Sequence, residues 1–327
     1  MCLELEDLKA QSLVGVEGVR EIEGVVEDLG LEPNVKALLK SMAKTAFNAR
    51  RLGEALDILE KIKARCGLRF MTIAGAIVPA GLRRLLREAL TRKLFNVVIS
   101  TGANVTHDLL MAFGGKHYRL KLGDVEDEGV LRVKGFCRIY DVAVHVDDFV
   151  VMERGLREIL ESLEDKTYST HEILREIGLR VRDESSFVRA AAMSGCDVIV
   201  PAFYDSILGV QLWSLTQMRR LRVLEALDLS YLVDLQFNAK KQGDRTGILI
   251  VGGGSPKNFA LQSALVAGKP FDYAVQITVE PPYYGGLSGA TLREAVSWDK
   301  VLEKGEHCTV YCDFTIALPL LLSALMC

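Results

Sequence analysis

GILIVGGGSPKNFALQSAL, Gly247 to Leu265, is the stretch that decides how this chain folds. Its run of leucine and β-branched residues reads as a buried strand, Gly252 to Gly254 as a tight turn, and the remainder as a helix. Ser255 suits a helix cap and Pro256 a first helical residue. Three glycines let backbone approach a ligand closely, and the free N–H groups of a helix start attract phosphate or another anion. The stretch is not the GxGxxG fingerprint, and a strand-to-helix turn without a ligand fits it equally.

The same construction recurs along the chain. FMTIAGAIVPAGLRRLLREAL from Phe70, NVVISTGANVTHDLLMAF from Asn96 and CDVIVPAFYDS from Cys196 each run from a short apolar strand into small residues. Tyr273 to Val279 and Thr309 to Asp313 are further strand candidates. Strands alternating with helices imply a largely parallel sheet flanked by helices, an α/β fold whose ligands sit at the carboxyl ends of the strands. Gly75, Ser100 to Ala103, Pro201 to Asp205, Gly252 to Gly254 and Asp313 should therefore converge on one crevice. Ahead of this pattern Leu52, Leu56 and Leu59 share a helical face. The expected organisation is a helical N-terminal extension, residues 1–68, and an α/β domain over 69–327.

Composition narrows the function. In 327 residues, 49% hydrophobic and 25% charged, there is ample material for a globular core. A formal charge of -3 provides no basic field for nucleic acid. The longest apolar run, Ile316 to Cys327, is short for a bilayer and contains Pro319, so a buried terminal helix is expected and no membrane span. The acidic, mixed N-terminus lacks a signal-peptide pattern, and the expected location is the cytoplasm. Seven scattered cysteines, Cys2 among them, form no CxxC pair and read as reduced thiols; with unclustered histidines, no metal site is expected.

Within STGANVTHDLL, Gly102 occupies the turn, Thr106 suits a cap, and Asp108 suits the positive end of a helix. His107 could donate to a substrate or merely cap. A ribose also calls for a carboxylate at a strand end, and Asp205 and Asp313 are the candidates, although either also suits an ordinary turn. GGLSGATLREAVSWDKV, Gly285 to Val301, sets Lys300 near Glu294 and Trp298. Covalent lysine chemistry on a carbonyl or imine needs a partly neutral amine, obtained by desolvation or a neighbouring cation. Thr291 and Glu294 also fit a capping box, which accounts for the glutamate without a substrate. On a continuous helix Glu294 and Trp298 share a face while Lys300 points nearly opposite. All three reach one pocket of a single chain only if the helix ends near Trp298.

With these segments assembled, the chain resembles the deoxyhypusine synthase family from about Phe47 to the C-terminus. The resemblance is carried by AFNARRLGEALDIL (Ala46 to Leu59), STGANVTHDL, VPAFYDSILG (Val200 to Gly209), VGGGSPKNF, SGATLREAVSWDKV (Ser288 to Val301) and TVYCDFTIALPLL (Thr309 to Leu321). It implies a Rossmann-like NAD-binding fold and NAD-dependent transfer of an aminobutyl group from spermidine. Lys300 then matches the nucleophile that captures the fragment as an imine. The acceptor is a lysine of the hypusine-bearing translation factor or, in homospermidine synthases, putrescine. The resemblance also implies a homotetramer.

Position by position, Thr101, Gly102, Ala103, Asp205, Gly253 and Asp313 match NAD contacts, and Glu294 and Trp298 match diamine contacts. Ser288, His107 and Asn258 are further substrate-side candidates. Val210 and Leu287 stand where the family carries acids, Asn258 where it has a histidine, and His107 where it has a glutamate. Glu280, Glu294 and Asp205 are available as substitute carboxylates. A polyamine without counter-charges loses several kcal/mol of pairing, so a changed substrate or a non-catalytic NAD-binding paralogue stands beside the enzyme reading.

Overall fold

The computed structural model describes residues 25–121 and 128–327; Cys2 and the first part of the expected extension lie outside the described residues. The strands are β1 (Cys66–Ile73), β2 (Val97–Ser100), β3 (Tyr118–Arg119), β4 (Phe136–Ile139), β5 (Val142–His145), β6 (Thr167–Tyr168), β7 (Asp197–Ile199), β8 (Arg222–Val223), β9 (Arg245–Val251), β10 (Phe271–Thr278) and β11 (Val301–Tyr311). The main sheet has six strands in the order β11-β10-β9-β1-β2-β7. Every neighbouring pair in it is parallel. This is the α/β architecture that the alternating pattern predicts.

Strands buried on both faces need apolar side chains on both, which is why β9 reads as continuous hydrophobic sequence rather than an alternating one. Met71, Ile73, Leu249 and Val251 point to the face covered by helices Phe47–Arg65 and Phe314–Met326. Phe70, Ile248, Ile250 and Ala274 point to the other, covered by helices Ala226–Gln242 and Gly254–Ala267. The chain leaves β1 for β2 and β7 on one side, whereas β9, β10 and β11 lie on the other. The β1–β9 seam is thus a topological switch point, where a crevice opens beyond the carboxyl ends.

Leu52, Leu56 and Leu59 enter this common core, as their spacing predicts. An added Cβ at Gly247 would lie 2.6 Å from Ile62 Cγ1, so glycine lets helix Phe47–Arg65 rest directly on β9. Helix Val35–Met42 joins through Leu39, and the division expected at residues 68/69 falls within β1. The apolar C-terminal run is a buried helix. No helix among the described residues is long and apolar enough to cross a membrane.

Three local expectations are corrected. Helix Gly254–Ala267 begins ahead of Ser255, with Gly253 at the cap and Gly254 at φ 59. Helix Gly102–Ala112 begins after Thr101, so Thr106 is internal: its hydroxyl donates to the Gly102 carbonyl and accepts from the Leu208 N–H. Asp108 is not a first-turn dipole residue. It is fully buried, paired with Arg83 and accepting from Ser186 Oγ and the N–H groups of Phe187 and Val188. It therefore ties helices Arg83–Thr91, Gly102–Ala112 and Phe187–Ser194 together.

Removing the Asp108 carboxylate strands the buried donors of Ser186, Phe187 and Val188 and, among the described residues, leaves Arg83 only its ion pair with Asp183. Asp108→Ala is expected to destabilise the fold by about 3–5 kcal/mol in urea unfolding; a loss below about 1 kcal/mol would contradict this role.

Candidate functional site

The switch-point crevice has a volume of about 400 Å³ and is lined by residues following four strands, including Gly75, Thr101, Gly102, Ala103, Asp205 and Ser255. Two helices, Gly102–Ala112 and Gly254–Ala267, begin at its wall, and neither start carries a side-chain capping bond. Their uncapped N–H groups and positive ends face an anionic ligand. The approach is tight: a Cβ on Gly102 would fall 2.5 Å from Ser206 Cβ.

Not every expected residue arrives there. Asp313 lines an adjoining cavity of about 780 Å³, with Arg84, Arg119 and Tyr140. This cavity shares Ala76 and Ile139 with the crevice. The Asp313 carboxylate accepts from Thr315 N and Oγ1, capping the last helix. Gly253 and Ser288 line neither cavity; a Cβ on Gly253 would sit 2.3 Å from Ser288 Cα, so the glycine allows the two loops to touch. His107 lines the crevice, with its Nδ1 3.0 Å from Nε2 of His117.

A separate cavity of about 480 Å³ contains Lys257, Asn258, Leu287, Glu294, Trp298 and Lys300. The sequence segment around Lys300 folds as its geometry requires. Thr291 caps helix Leu292–Ser297 by accepting from Glu294 N; Trp298 ends it, and Asp299 turns the chain at φ 54. The reversal brings the Lys300 ammonium to 5.4 Å from the Trp298 ring centroid, within cation–π range. Glu294, Trp298 and Lys300 therefore do share one cavity. Trp298 remains 59% exposed, so this wall is open on its outer side.

Lys257 is the functional candidate that the sequence reading passes over. It is 3% exposed, and its Nζ donates to Gln276 Oε1 at 3.2 Å, to the Leu287 carbonyl at 3.2 Å and to the Ala290 carbonyl. Burial pushes its amine down to about 8, Glu294 pulls it back up, and Lys300 pushes it down. Gln276, fully buried in β10, also donates to the carbonyls of Gly252 and Ser288, locking the glycine turn to the Lys300-bearing segment. A signal for Lys257 was present: it is in phase with the buried Ala260, Leu261 and Ala264 of its helix.

Of the substitute carboxylates, Glu294 faces the lysine cavity and Asp205 the crevice, whereas Glu280 lines neither. Leu287 borders the lysine cavity; Val210 lies exposed on helix Ile207–Leu215, outside both. Among the described residues no cluster of three or more metal-ligating side chains occurs.

The family model for deoxyhypusine synthase matches residues 37–325. The chain belongs to the deoxyhypusine synthase family. It is 41% identical over 293 residues to "Probable deoxyhypusine synthase 1" of Archaeoglobus fulgidus, covering 89% of this chain and 94% of that one. A Methanosarcina mazei protein of the same name is 39% identical, with 91% and 93% covered. A crystal structure from Entamoeba histolytica, provisionally named deoxyhypusine synthase, shares the fold with a TM-score of 0.61 at 16% identity, covering 89% of this chain and 92% of that one.

The buried amine gives a pH signature. Lys257 loses its proton near pH 8 when folded but near 10.5 when unfolded, so between these values the unfolded chain holds more protons. Stability should rise with pH across that window, by on the order of 3 kcal/mol, and Lys257→Met should flatten the rise. Parallel parent and variant profiles in urea would exclude a strongly desolvated amine.

Proposed function

We propose that this protein is an NAD-dependent aminobutyl transferase of the deoxyhypusine synthase type, with Lys300 as its covalent nucleophile. The observation that carries the proposal is the meeting of Lys300, Glu294, Trp298 and the buried Lys257 in one cavity. NAD fits the crevice and its neighbour. The two uncapped helix starts suit its diphosphate, Asp205 suits a ribose, and Arg84 and Asp313 line the space beyond. Bound there, NAD supplies hydride removal from the donor amine's carbon and hydride return to the product.

The chain's own groups perform the transfer between those events. Lys300 attacks the oxidised carbon, its new C–N bond replaces the substrate's, and diaminopropane leaves with the displaced nitrogen. Lys257, with its amine brought to about 8, is poised to exchange protons with amines in this cavity. Glu294 pairs with a substrate ammonium, and Trp298 provides an apolar wall on which the butyl chain lies. The proposed acceptor is a lysine of the hypusine-bearing translation factor. We place the enzyme in the cytoplasm as a homotetramer, in which a second copy covers the exposed Tyr283, Tyr284 and Trp298.

One observation favours a second reading within the same chemistry. Among the described residues Glu294 is the single carboxylate lining the lysine cavity, against two lysines. A donor with fewer cationic centres than spermidine, or a polyamine acceptor such as putrescine, suits that balance.

Incubation with NAD and spermidine, borohydride reduction and peptide mass analysis should find an aminobutyl adduct on Lys300, absent from Lys300→Ala. Lys257→Gln should lower the rate of adduct formation at least about tenfold, the scale of a lost acid–base group. No adduct with spermidine, putrescine or agmatine would leave a non-catalytic NAD-binding paralogue.

A further inference from the structure

His107 and His117 form a half-buried imidazole pair between the crevice and the adjoining cavity. His107 lines the first and His117 the second. Nδ1 of His107 and Nε2 of His117 are 3.0 Å apart, and the rings lie 4.9 Å centroid to centroid. Phe149 packs edge-on against His107. Burial lowers the proton affinity of both, that of His107 to about 4, and its neighbour imidazole pushes the same way. Around His117, Arg83 also opposes a proton and Asp148 favours one. Both rings are accordingly neutral near pH 7, and one proton lies in the bond between them.

Two arrangements satisfy that bond. If His107 donates from Nδ1, neutral His117 must carry its proton on Nδ1, a buried atom that has no hydrogen-bond partner. If His117 donates from Nε2, its Nδ1 is only a bare lone pair, and His107 carries its proton on Nε2. Buried unpaired N–H donors are rarer in proteins than under-used acceptors, so the second arrangement prevails. Among the described residues His107 Nε2 finds no hydrogen-bond partner, and it is not one of the buried unpaired atoms, so it opens on the crevice His107 lines.

We propose that His107 is a neutral hydrogen-bond donor to the crevice ligand, held in its Nε2–H form by His117, and that the ligand meets it with an acceptor oxygen of a nucleotide. The rest of the wall agrees in sign. Both helix starts present N–H donors, and among the described residues Asp205 is the single carboxylate in the lining. The ligand half of this inference rests on the nucleotide reading of the crevice. His117 is a positioning residue: it fixes which end of the neighbouring ring carries the proton.

The test combines calorimetry with NAD and ADP-ribose and nitrogen-15 spectra of histidine-labelled protein. The spectra should show neutral His107 protonated on Nε2 at pH 7. His107→Phe, which keeps a ring but has no donor, should weaken NAD about tenfold, as a lost hydrogen bond does. His107→Gln, which keeps an N–H donor, should lose less, and His117→Gln should retain more affinity than His117→Phe. An equal loss with ADP-ribose places the acceptor oxygen on the ADP-ribose portion; a loss confined to NAD places it on the carboxamide; both support the donor role. Protonation of His107 on Nδ1, or His107→Phe binding NAD as tightly as the parent, overturns the proposal. Failure of the parent to bind either nucleotide overturns the nucleotide reading and the ligand half, while the spectra still decide the tautomer.

Discussion

The candidate site depends on one buried amine. Lys257 is held by Gln276 Oε1 and by the carbonyls of Leu287 and Ala290. Gln276 spends its remaining donors on Gly252 and Ser288. Through this network the glycine turn after β9, the interior of β10 and the loop leading to Lys300 become one unit. A lysine this deep is tolerated because three fixed acceptors take its three N–H donors, while burial away from water still pulls its amine down to about 8. The same compromise that costs stability places a proton-exchanging group beside the lysine proposed to form an imine.

The sheet makes that unit useful. Its strand order reverses at the β1–β9 seam, so the crevice and the lysine cavity both open from the strand-end side near helix Gly254–Ala267. Ser255 and Pro256 face the crevice, and Lys257 and Asn258 face the lysine cavity. Four consecutive residues thus border two spaces, one suited to an anionic cofactor and one suited to amine chemistry. Asp108, paired with Arg83 and accepting from the first N–H groups of helix Phe187–Ser194, joins that helix to Gly102–Ala112, which begins at the crevice wall.

Much of this was legible in the sequence because it follows from period and turn chemistry. The parallel sheet, the glycine turns and the convergence of Gly75, Thr101 and Asp205 all arise from short apolar runs ending in small residues. The end of the helix at Trp298 was needed for the Lys300 geometry but not specified, because Asp299 is a left-handed residue without glycine's signature. Helix starts were misplaced at Ser255 and Thr106, since glycines after a strand can begin a helix themselves. Asp313 and Gly253 could not be assigned to a cavity from sequence, because which side of a strand-end turn faces the ligand depends on packing against Phe314 and Ser288. Lys257 does not stand out in the sequence because charge on a helix usually marks the solvent face, and only its phase with Ala260 and Ala264 argues otherwise.

The most direct measurement is an NMR titration of the Lys257 Cε signal in carbon-13 lysine-labelled protein, assigned with Lys257→Met. The expected midpoint is near 8, set by burial. A midpoint at the ordinary lysine value of 10.5 would contradict it, because Lys257 would then be a solvated ammonium and the cavity at Lys300 would lack its proton-exchanging neighbour.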